Sequence, residues 1–269
     1  MDWKRILIGK WSWKRPFYSL ISIYLMLVFV AVFFADRIIF IPPPPSYRSD
    51  LPGLELIESP EGEVTAVLHL KAEPDKPTLL FSHGNAEDLG DWLPVFGEWH
   101  SKGLGVIAYD YPGYGHSSGT ASEASCERSI SCVRNHLKFN AVPESSVVIV
   151  GRSVGSGPSV WLASEMNAKA LILISPFTSA FNVAFPLPFP ILPRDRFPNL
   201  QRIRTISTPL LIIHGENDEV IPFTHGEQLF AASPSNTKEF FAIPGAGHND
   251  LFDVAGEEII ERVANFALK

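Results

Sequence analysis

Seven short apolar runs, most of them followed by a turn that contains glycine, constrain the fold of this 269-residue chain more than any other feature. They read VTAVLHL, TLLFSHGN, GVIAYDYPGYG, VVIVGRSVG, ALILISPF, PLLIIHGEND and KEFFAIPGAGH. Runs that are apolar at successive positions are typical of parallel strands covered by helices on both faces. The sequence therefore predicts an α/β fold with a doubly wound, mostly parallel sheet, in which functional side chains gather at the carboxyl ends of the strands.

Helix signals lie between these runs. Thr120 with Glu123, and Thr224 with Glu227, have the spacing of a capping box at a helix start. Near the end of the chain an apolar stripe predicts an amphipathic helix, formed by Ile259, Ile260, Val263 and Phe266.

The first 55 residues predict a membrane anchor and a linker. Residues 16–35 carry no charge and follow a basic tail, residues 1–15, whose net charge is +4. About 20 apolar residues match the thickness of a bilayer core, and Phe33 and Phe34 are unlike the small residues before a cleavage site. We expect an uncleaved signal anchor with a cytoplasmic N-terminus and the catalytic body on the other side of the membrane. Residues 36–55 are a proline-rich linker, and residues 56–269 form one domain.

Composition excludes several classes of function. The net charge of the whole chain is −7, so the part after residue 15 carries −11, which is unsuited to binding nucleic acid. Cys126 and Cys132 lie six residues apart in one predicted helix, roughly 240° apart around its axis, and are expected to be core residues without a disulfide. The sequence has no metal-binding spacing such as C-x-x-C or H-E-x-x-H, and we expect no cofactor.

The stretch VVIVGRSVGSGPSV places a serine between two glycines at the junction of a strand and a helix. A tight turn of this kind, made possible by Gly151 and Gly155, lifts a serine hydroxyl above the sheet. The N-terminal N–H groups of the following helix point to the same place and can stabilise an oxyanion. Ser153 is therefore predicted to be a nucleophile.

A serine hydroxyl needs a base, and the base needs an acid that fixes its tautomer. Asp218 follows the strand PLLIIHG, and His248 follows the last strand, which is the chain order of a nucleophile-elbow fold. Asp218 is the expected acid, with Glu216 as its rival. Four other residues are weaker candidates because they are expected to fix their own turns or loops: His83 and His214 for the base, Glu219 and Asp110 for the acid.

Two donors are expected to form an oxyanion hole. One is the backbone N–H of Val154, directly after the nucleophile, and the other comes from the loop FSHGNAEDLG, where Asn85 is the predicted donor. The alternative for the H-G-N segment is a tight turn without a catalytic role.

Together these motifs resemble an α/β-hydrolase-fold serine hydrolase, and specifically the branch of membrane-associated acyl-protein thioesterases and their bacterial relatives. The resemblance covers residues 40–269 through FSHGNAEDLG, YDYPGYGHSSG, GRSVGSGPSVWLAS, SPFTSAFNVAF, the FPNLQ to GEQLF stretch and PGAGHNDL. It implies a triad of Ser153, Asp218 and His248, an oxyanion hole at Asn85 and Val154, and cleavage of acyl ester or thioester bonds without a cofactor. Two features differ from that branch: no cysteine precedes Cys126, and Arg152 stands beside the nucleophile.

Residues 176–204 are rich in aromatic residues and proline and are expected to form a small lid. An apolar lid beside an anchor suggests acyl chains as substrates, and a plain packing role is the alternative. The predicted function is a membrane-anchored serine hydrolase acting on acylated or lipidic small molecules or proteins. A peptidase or lysophospholipase of the same fold, and a non-catalytic scaffold, remain alternatives.

Overall fold

Within the residues that the computed structural model describes, which are 13–59, 62–184, 193 and 195–269, eight strands form one mixed sheet. The strands are β1 Leu54–Glu58, β2 Val64–Leu70, β3 Thr78–Ser82, β4 Gly105–Tyr109, β5 Val147–Arg152, β6 Ala170–Ile174, β7 Leu210–Gly215 and β8 Lys238–Ile243. Strands β2 to β8 lie in the seven apolar runs, which confirms their prediction. The edge strand β1 was not predicted, because most of its side chains are exposed or half-buried and it has no apolar run.

The sheet has the order β1-β2-β4-β3-β5-β6-β7-β8. Strand β2 pairs antiparallel with β1 and with β4, and every neighbouring pair from β4 to β8 is parallel. The chain passes from β3 to β4 on one side and then returns to β5 on the other side of β3. The loops after β3 and β5 therefore diverge at the carboxyl edge of the sheet, which is where open α/β sheets place their binding crevice.

Helices cover both faces of the sheet, as predicted. The helices of the described residues are α1 Lys14–Phe33, α2 Ala35–Ile39, α3 Leu89–Ser101, α4 Glu123–Phe139, α5 Ser156–Glu165, α6 Ala180–Ala184, α7 Asn199–Arg202, α8 Thr224–Ala232 and α9 Leu251–Leu268, and the two faces are covered by helices from α3 onward. Alternation along β3 shows how the two layers form: Leu80 belongs to the core cluster with α4, α5 and α8, whereas Leu79 and Phe81 belong to the cluster with α3 and α9. Every residue of the strands β3 to β7 is buried, so this central part of the sheet is covered on both faces.

The helix starts differ from the predicted capping boxes. The N-cap of helix α4 is Ser122, two residues after Thr120. Its capping box pairs Ser122 with Ser125: the N–H of Ser125 donates to Ser122 Oγ over 3.1 Å, and the N–H of Ser122 donates to Ser125 Oγ over 2.8 Å. Thr224 is the first residue of α8, after Phe223 as N-cap, with no side-chain cap. Both predicted boxes were wrong. At α4 the pair of Ser122 and Ser125 forms the capping box instead, and at α8 the N-cap is Phe223. Cys126 and Cys132 both lie on α4; Cys126 is buried in the core, as predicted, whereas Cys132 is only half-buried.

Helix α1 is long and apolar enough to cross a membrane, with a mean hydropathy of 2.2 and only 6% of its most apolar window buried. The chain that follows it, residues 36–41, is called the tether here because it docks on the body. Asp36 Oδ1 accepts a hydrogen bond from Arg196 Nε over 2.7 Å, and the buried Phe40 ring lies 6.2 Å from the ring of Phe197. The tether therefore contacts the predicted lid region 176–204, of which residues 185–192 and 194 lie outside the described residues.

Candidate active site

Ser153 lies at the sharp turn between β5 and α5. It opens a short 3-10 turn, Ser153–Gly155, and its φ is +50°, in the left-handed region that costs energy for any residue with a side chain. The same strained geometry holds a serine in a nucleophile elbow. The side chain is 7% exposed, so a substrate has to enter a pocket to reach it.

Packing explains both glycines of the GRSVG motif. A Cβ on Gly155 would lie 2.1 Å from the carbonyl oxygen of Ser82 at the end of β3, and a Cβ on Gly151 would lie 2.5 Å from Ser159 Oγ. Both distances are far below a van der Waals contact. Glycine thus lets the elbow, the end of β3 and helix α5 come together at the carboxyl edge of the sheet.

The structure brings the predicted base and acid to this serine. His248, in the loop after β8, has its Nε2 3.0 Å from Ser153 Oγ and its Nδ1 2.8 Å from Asp218 Oδ2. Asp218 follows β7, and all three residues are buried. In this order the imidazole can take the proton of the hydroxyl, and the carboxylate fixes the orientation of the imidazole.

The surroundings of Asp218 keep it ionised. Burial alone raises the pKa of this carboxyl, but hydrogen bonds and charge from His214 and His248 and a bond from the N–H of Ile221 outweigh it and hold the pKa well below its usual range. The Oδ1 atom accepts that N–H over 2.6 Å, which fixes the carboxylate while Oδ2 faces the imidazole. Asp218 is therefore a fixed negative charge beside His248.

The alternative candidates have other partners, although His214 Nε2 also lies 3.3 Å from Asp218 Oδ2. His83 contacts the carbonyl of Gly84 over 2.7 Å, and His214 contacts the carbonyl of Ile221 over 2.9 Å, so each histidine braces the turn after its strand. Asp110 accepts hydrogen bonds from the N–H of Leu89 and from a tyrosine hydroxyl. Glu216 is exposed. Glu219 reaches the site only through the N–H of His248, over 3.3 Å.

The two expected oxyanion donors follow neighbouring strands, since Ser82 pairs with Gly151 and the loops after β3 and β5 start side by side. Val154 is the second residue of the 3-10 turn, where an N–H has no partner within the turn. Asn85 differs from the simplest expectation: its side chain binds the tether, with Nδ2 donating to the carbonyl of Ile39 over 2.7 Å and Oδ1 accepting from the N–H of Ile41 over 3.0 Å. Its backbone N–H donates to nothing among the described residues and is the group available to an oxyanion.

Arg152, whose effect the sequence does not reveal, connects the loops of the site. It forms an ion pair with Glu87, donates from Nη2 to the carbonyl of His248 over 3.3 Å and lies 5.4 Å from the ring centre of Trp92. Glu87 in turn accepts the N–H of Gly84 over 2.8 Å, in the loop that carries Asn85. Burial lowers the pKa of Arg152 to about 10, so Arg152 is a buried cation at neutral pH. Through Glu87 and the carbonyl of His248 it connects the loop after β3, called the oxyanion loop here, to the loop after β8.

Known proteins match this architecture. Residues 73–191 and 198–255 match the model of a hydrolase family described as serine aminopeptidase, S33. The α/β-hydrolase domain-containing protein 17B of Homo sapiens is 40% identical over 210 residues, which are 77% of this chain and 72% of the human protein. The chain belongs to this α/β-hydrolase family. It is a serine hydrolase of the α/β-hydrolase fold, as the sequence predicted.

Other members of the α/β-hydrolase group show the same relationship. The α/β-hydrolase domain-containing protein aho-3 of Caenorhabditis elegans is 40% identical over 176 residues, 65% of this chain and 53% of that protein, so the chain spans about half of its length. An esterase from Pyrococcus furiosus has a TM-score of 0.70 at 18% identity, covering 84% of this chain and 98% of the esterase. A monoacylglycerol lipase from Paleococcus ferrophilus has a TM-score of 0.60 at 18% identity, covering 75% of this chain and 98% of the lipase. Both structures confirm the fold.

Proposed function

We propose that this α/β-hydrolase cleaves carboxylic ester or thioester bonds of acylated substrates through Ser153, His248 and Asp218. The observation that carries the proposal is the hydrogen-bonded chain from Ser153 Oγ to His248 Nε2, over 3.0 Å, and from His248 Nδ1 to Asp218 Oδ2, over 2.8 Å. The strained elbow holds the hydroxyl at the start of this chain.

The reaction follows from this geometry. His248 takes the proton of Ser153 as the oxygen attacks the acyl carbonyl, and Asp218 stabilises the imidazolium that forms. The negative charge on the carbonyl oxygen is held by the N–H groups of Val154 and Asn85. His248 then protonates the leaving alcohol or thiol, and water activated by the same histidine hydrolyses the acyl-enzyme.

Acyl substrates are favoured over other carbonyl compounds by the position of the site. The tether from the apolar helix α1 reaches the oxyanion loop through Asn85 and the predicted lid region through Arg196. We propose that α1 is a signal anchor, with the basic tail in the cytoplasm and the body on the other side, so that Ser153 stays close to the bilayer. Acylated proteins and lipids are concentrated there.

The proposal is tested with the full chain in detergent micelles, on a matched panel of p-nitrophenyl esters and acyl thioesters from acetyl to palmitoyl. Ser153→Ala is expected to abolish turnover, because the hydroxyl attacks the substrate. Ser164→Ala, an exposed serine on α5, is the matched control and is expected to keep full activity. Unchanged hydrolysis by a folded Ser153→Ala protein would overturn the assignment.

The same panel decides the leaving group. The family model carries the description of a serine aminopeptidase, so aminoacyl p-nitroanilides are included. Turnover of anilides without turnover of esters and thioesters would replace the proposed function by a peptidase activity. Absence of turnover on every substrate, in a protein that also fails to react with a fluorophosphonate, would support a non-catalytic scaffold.

A further inference from the structure

Three potential ligands of a metal ion meet at the edge of the sheet that lies opposite β8. Glu55 is on the edge strand β1, His69 on β2, and His136 in the last turn of α4. Glu55 pairs with Val67, two residues before His69, so the two side chains project from the same face of the sheet. Val67 and Leu137 share a core cluster, which shows that α4 packs on this face.

The three side chains are close enough to share one ion. His69 Nδ1 lies 3.1 Å from His136 Nε2, and His136 Nε2 lies 4.0 Å from Glu55 Oε1. One ligand atom from each residue lies within 4.8 Å of the other two, and among the described residues no second group of this kind occurs. Two nitrogen ligands about 2.0–2.1 Å from a tetrahedral zinc ion lie about 3.3–3.4 Å apart, so the histidine pair is already near that spacing.

The chemistry of the cluster also suits a metal. Both imidazoles are half-buried and lie beside the carboxylate of Glu55, so two nitrogen ligands and one oxygen ligand converge on one point. Asn140 Nδ2 lies 3.1 Å from His136 Nε2, and a metal ion would displace this amide contact. Imidazole and carboxylate ligands together are the set that zinc accepts.

We propose that Glu55, His69 and His136 form a zinc-binding site that clips strands β1 and β2 to the end of α4. Glu55 is 55% exposed, which leaves the remaining coordination position to water. The site lies at the sheet edge opposite the strands that carry Asp218 and His248, so its role is to hold the fold together and not to take part in hydrolysis. The two histidines are 67 residues apart in sequence, which is why no short spacing motif reveals them.

The test uses the full chain in detergent, stripped with a chelator and titrated with zinc chloride against a chromophoric zinc indicator. One ion per chain is expected, and His69→Gln and His136→Gln are each expected to weaken binding by more than about tenfold. His100→Gln, on α3, is the matched control and is expected to bind as the parent does. Substitution by cobalt is expected to give visible d–d absorption in the parent and in His100→Gln only.

The stability of the same proteins gives a second readout. Zinc is expected to raise the unfolding temperature of the parent and of His100→Gln, and to leave that of His136→Gln unchanged. Because His136 is half-buried and its substitution can disturb packing, the exposed Glu55→Gln serves as the second variant, with zinc binding weakened and ester hydrolysis unchanged. Equal zinc affinity in the parent, Glu55→Gln and both histidine variants, or no binding by the folded parent, would overturn the site.

Discussion

Replacing Asn85 by alanine separates the two roles that the structure gives this residue. The substitution keeps the backbone N–H that we propose holds the oxyanion, and it removes the side chain that holds the tether. Asn85 Nδ2 donates to Ile39, and Asn85 Oδ1 accepts from Ile41 over 3.0 Å and from the hydroxyl of Tyr114 over 2.6 Å. The change therefore tests whether the tether positions the oxyanion loop.

The expected losses of stability and of kcat in Asn85→Ala follow from these hydrogen bonds. A hydrogen bond of this kind contributes about 1 kcal/mol, and the N–H of Ile41 keeps its second acceptor, the Tyr114 hydroxyl, at 2.9 Å. Two bonds are lost outright, those to the carbonyl of Ile39 and to the hydroxyl of Tyr114, so the expected loss is about 2 kcal/mol in the free energy of unfolding. Complete loss of an oxyanion donor costs a factor of about 100–1,000 in kcat, so a misplaced one is expected to cost about 10- to 30-fold. KM is expected to change little, because the donor acts on charge that develops in the transition state.

The assay is steady-state hydrolysis of p-nitrophenyl butyrate, with the unfolding temperature measured on the same samples. Asn135→Ala, an exposed asparagine on α4, is the matched control and is expected to match the parent in both measurements. Asn85→Asp is expected to be worse than Asn85→Ala, because it adds a negative charge beside a developing oxyanion. A lower unfolding temperature with an unchanged kcat would refute the coupling, since the side chain would then only stabilise the fold.

Three further predictions concern the neighbouring groups. Arg152→Gln leaves the half-buried Glu87 without its cation. It is expected to lower the free energy of unfolding by about 3 kcal/mol and kcat by about tenfold. A double-mutant cycle with Glu87→Gln in chemical denaturation measures the coupling, and additive effects of the two substitutions would contradict the ion pair. Gly155→Ala is expected to reduce kcat by more than about 100-fold, because its Cβ would meet the end of β3. Gly97→Ala has open space around its Cβ and is expected to stabilise α3 by about 0.5–1 kcal/mol. Similar kinetics for the two variants would contradict the packing of Gly155 against β3. Because the pKa of Asp218 is held below its usual range, its carboxylate stabilises the fold above the ordinary aspartate pKa of about 3.9 and loses that contribution as the pH falls through the folded pKa. The difference in free energy of unfolding between the parent and Asp218→Asn is therefore expected to shrink below about pH 5, and growth of that difference in acid would contradict the sign.

Much of the site could be predicted because each of its parts follows a strand. Ser153, Asp218 and His248 stand directly after apolar runs, and in a parallel sheet the carboxyl ends of neighbouring strands share one edge. Chain order then assigns their roles. The same periodicity predicted seven strands and the layers of helices on both faces.

The rest depends on contacts between distant parts of the chain. Arg152 and Glu87 are 65 residues apart, and no local pattern indicates that they pair or that Arg152 reaches the carbonyl of His248. The side chain of Asn85 binds residues 44 and 46 positions before it, in the tether. No local pattern in the sequence indicates this role of the side chain. The predicted start of α4 was wrong for a local reason, because Ser122 and not Thr120 is the N-cap.

The central claim is that Ser153 becomes acylated during turnover. Its most direct test is rapid acid quenching of the full chain with a p-nitrophenyl ester, followed by peptide mapping in a mass spectrometer. We expect a burst of p-nitrophenol and one acyl adduct, on the peptide that contains Ser153. An adduct on another residue, or steady turnover in a Ser153→Ala protein without any adduct, would contradict it.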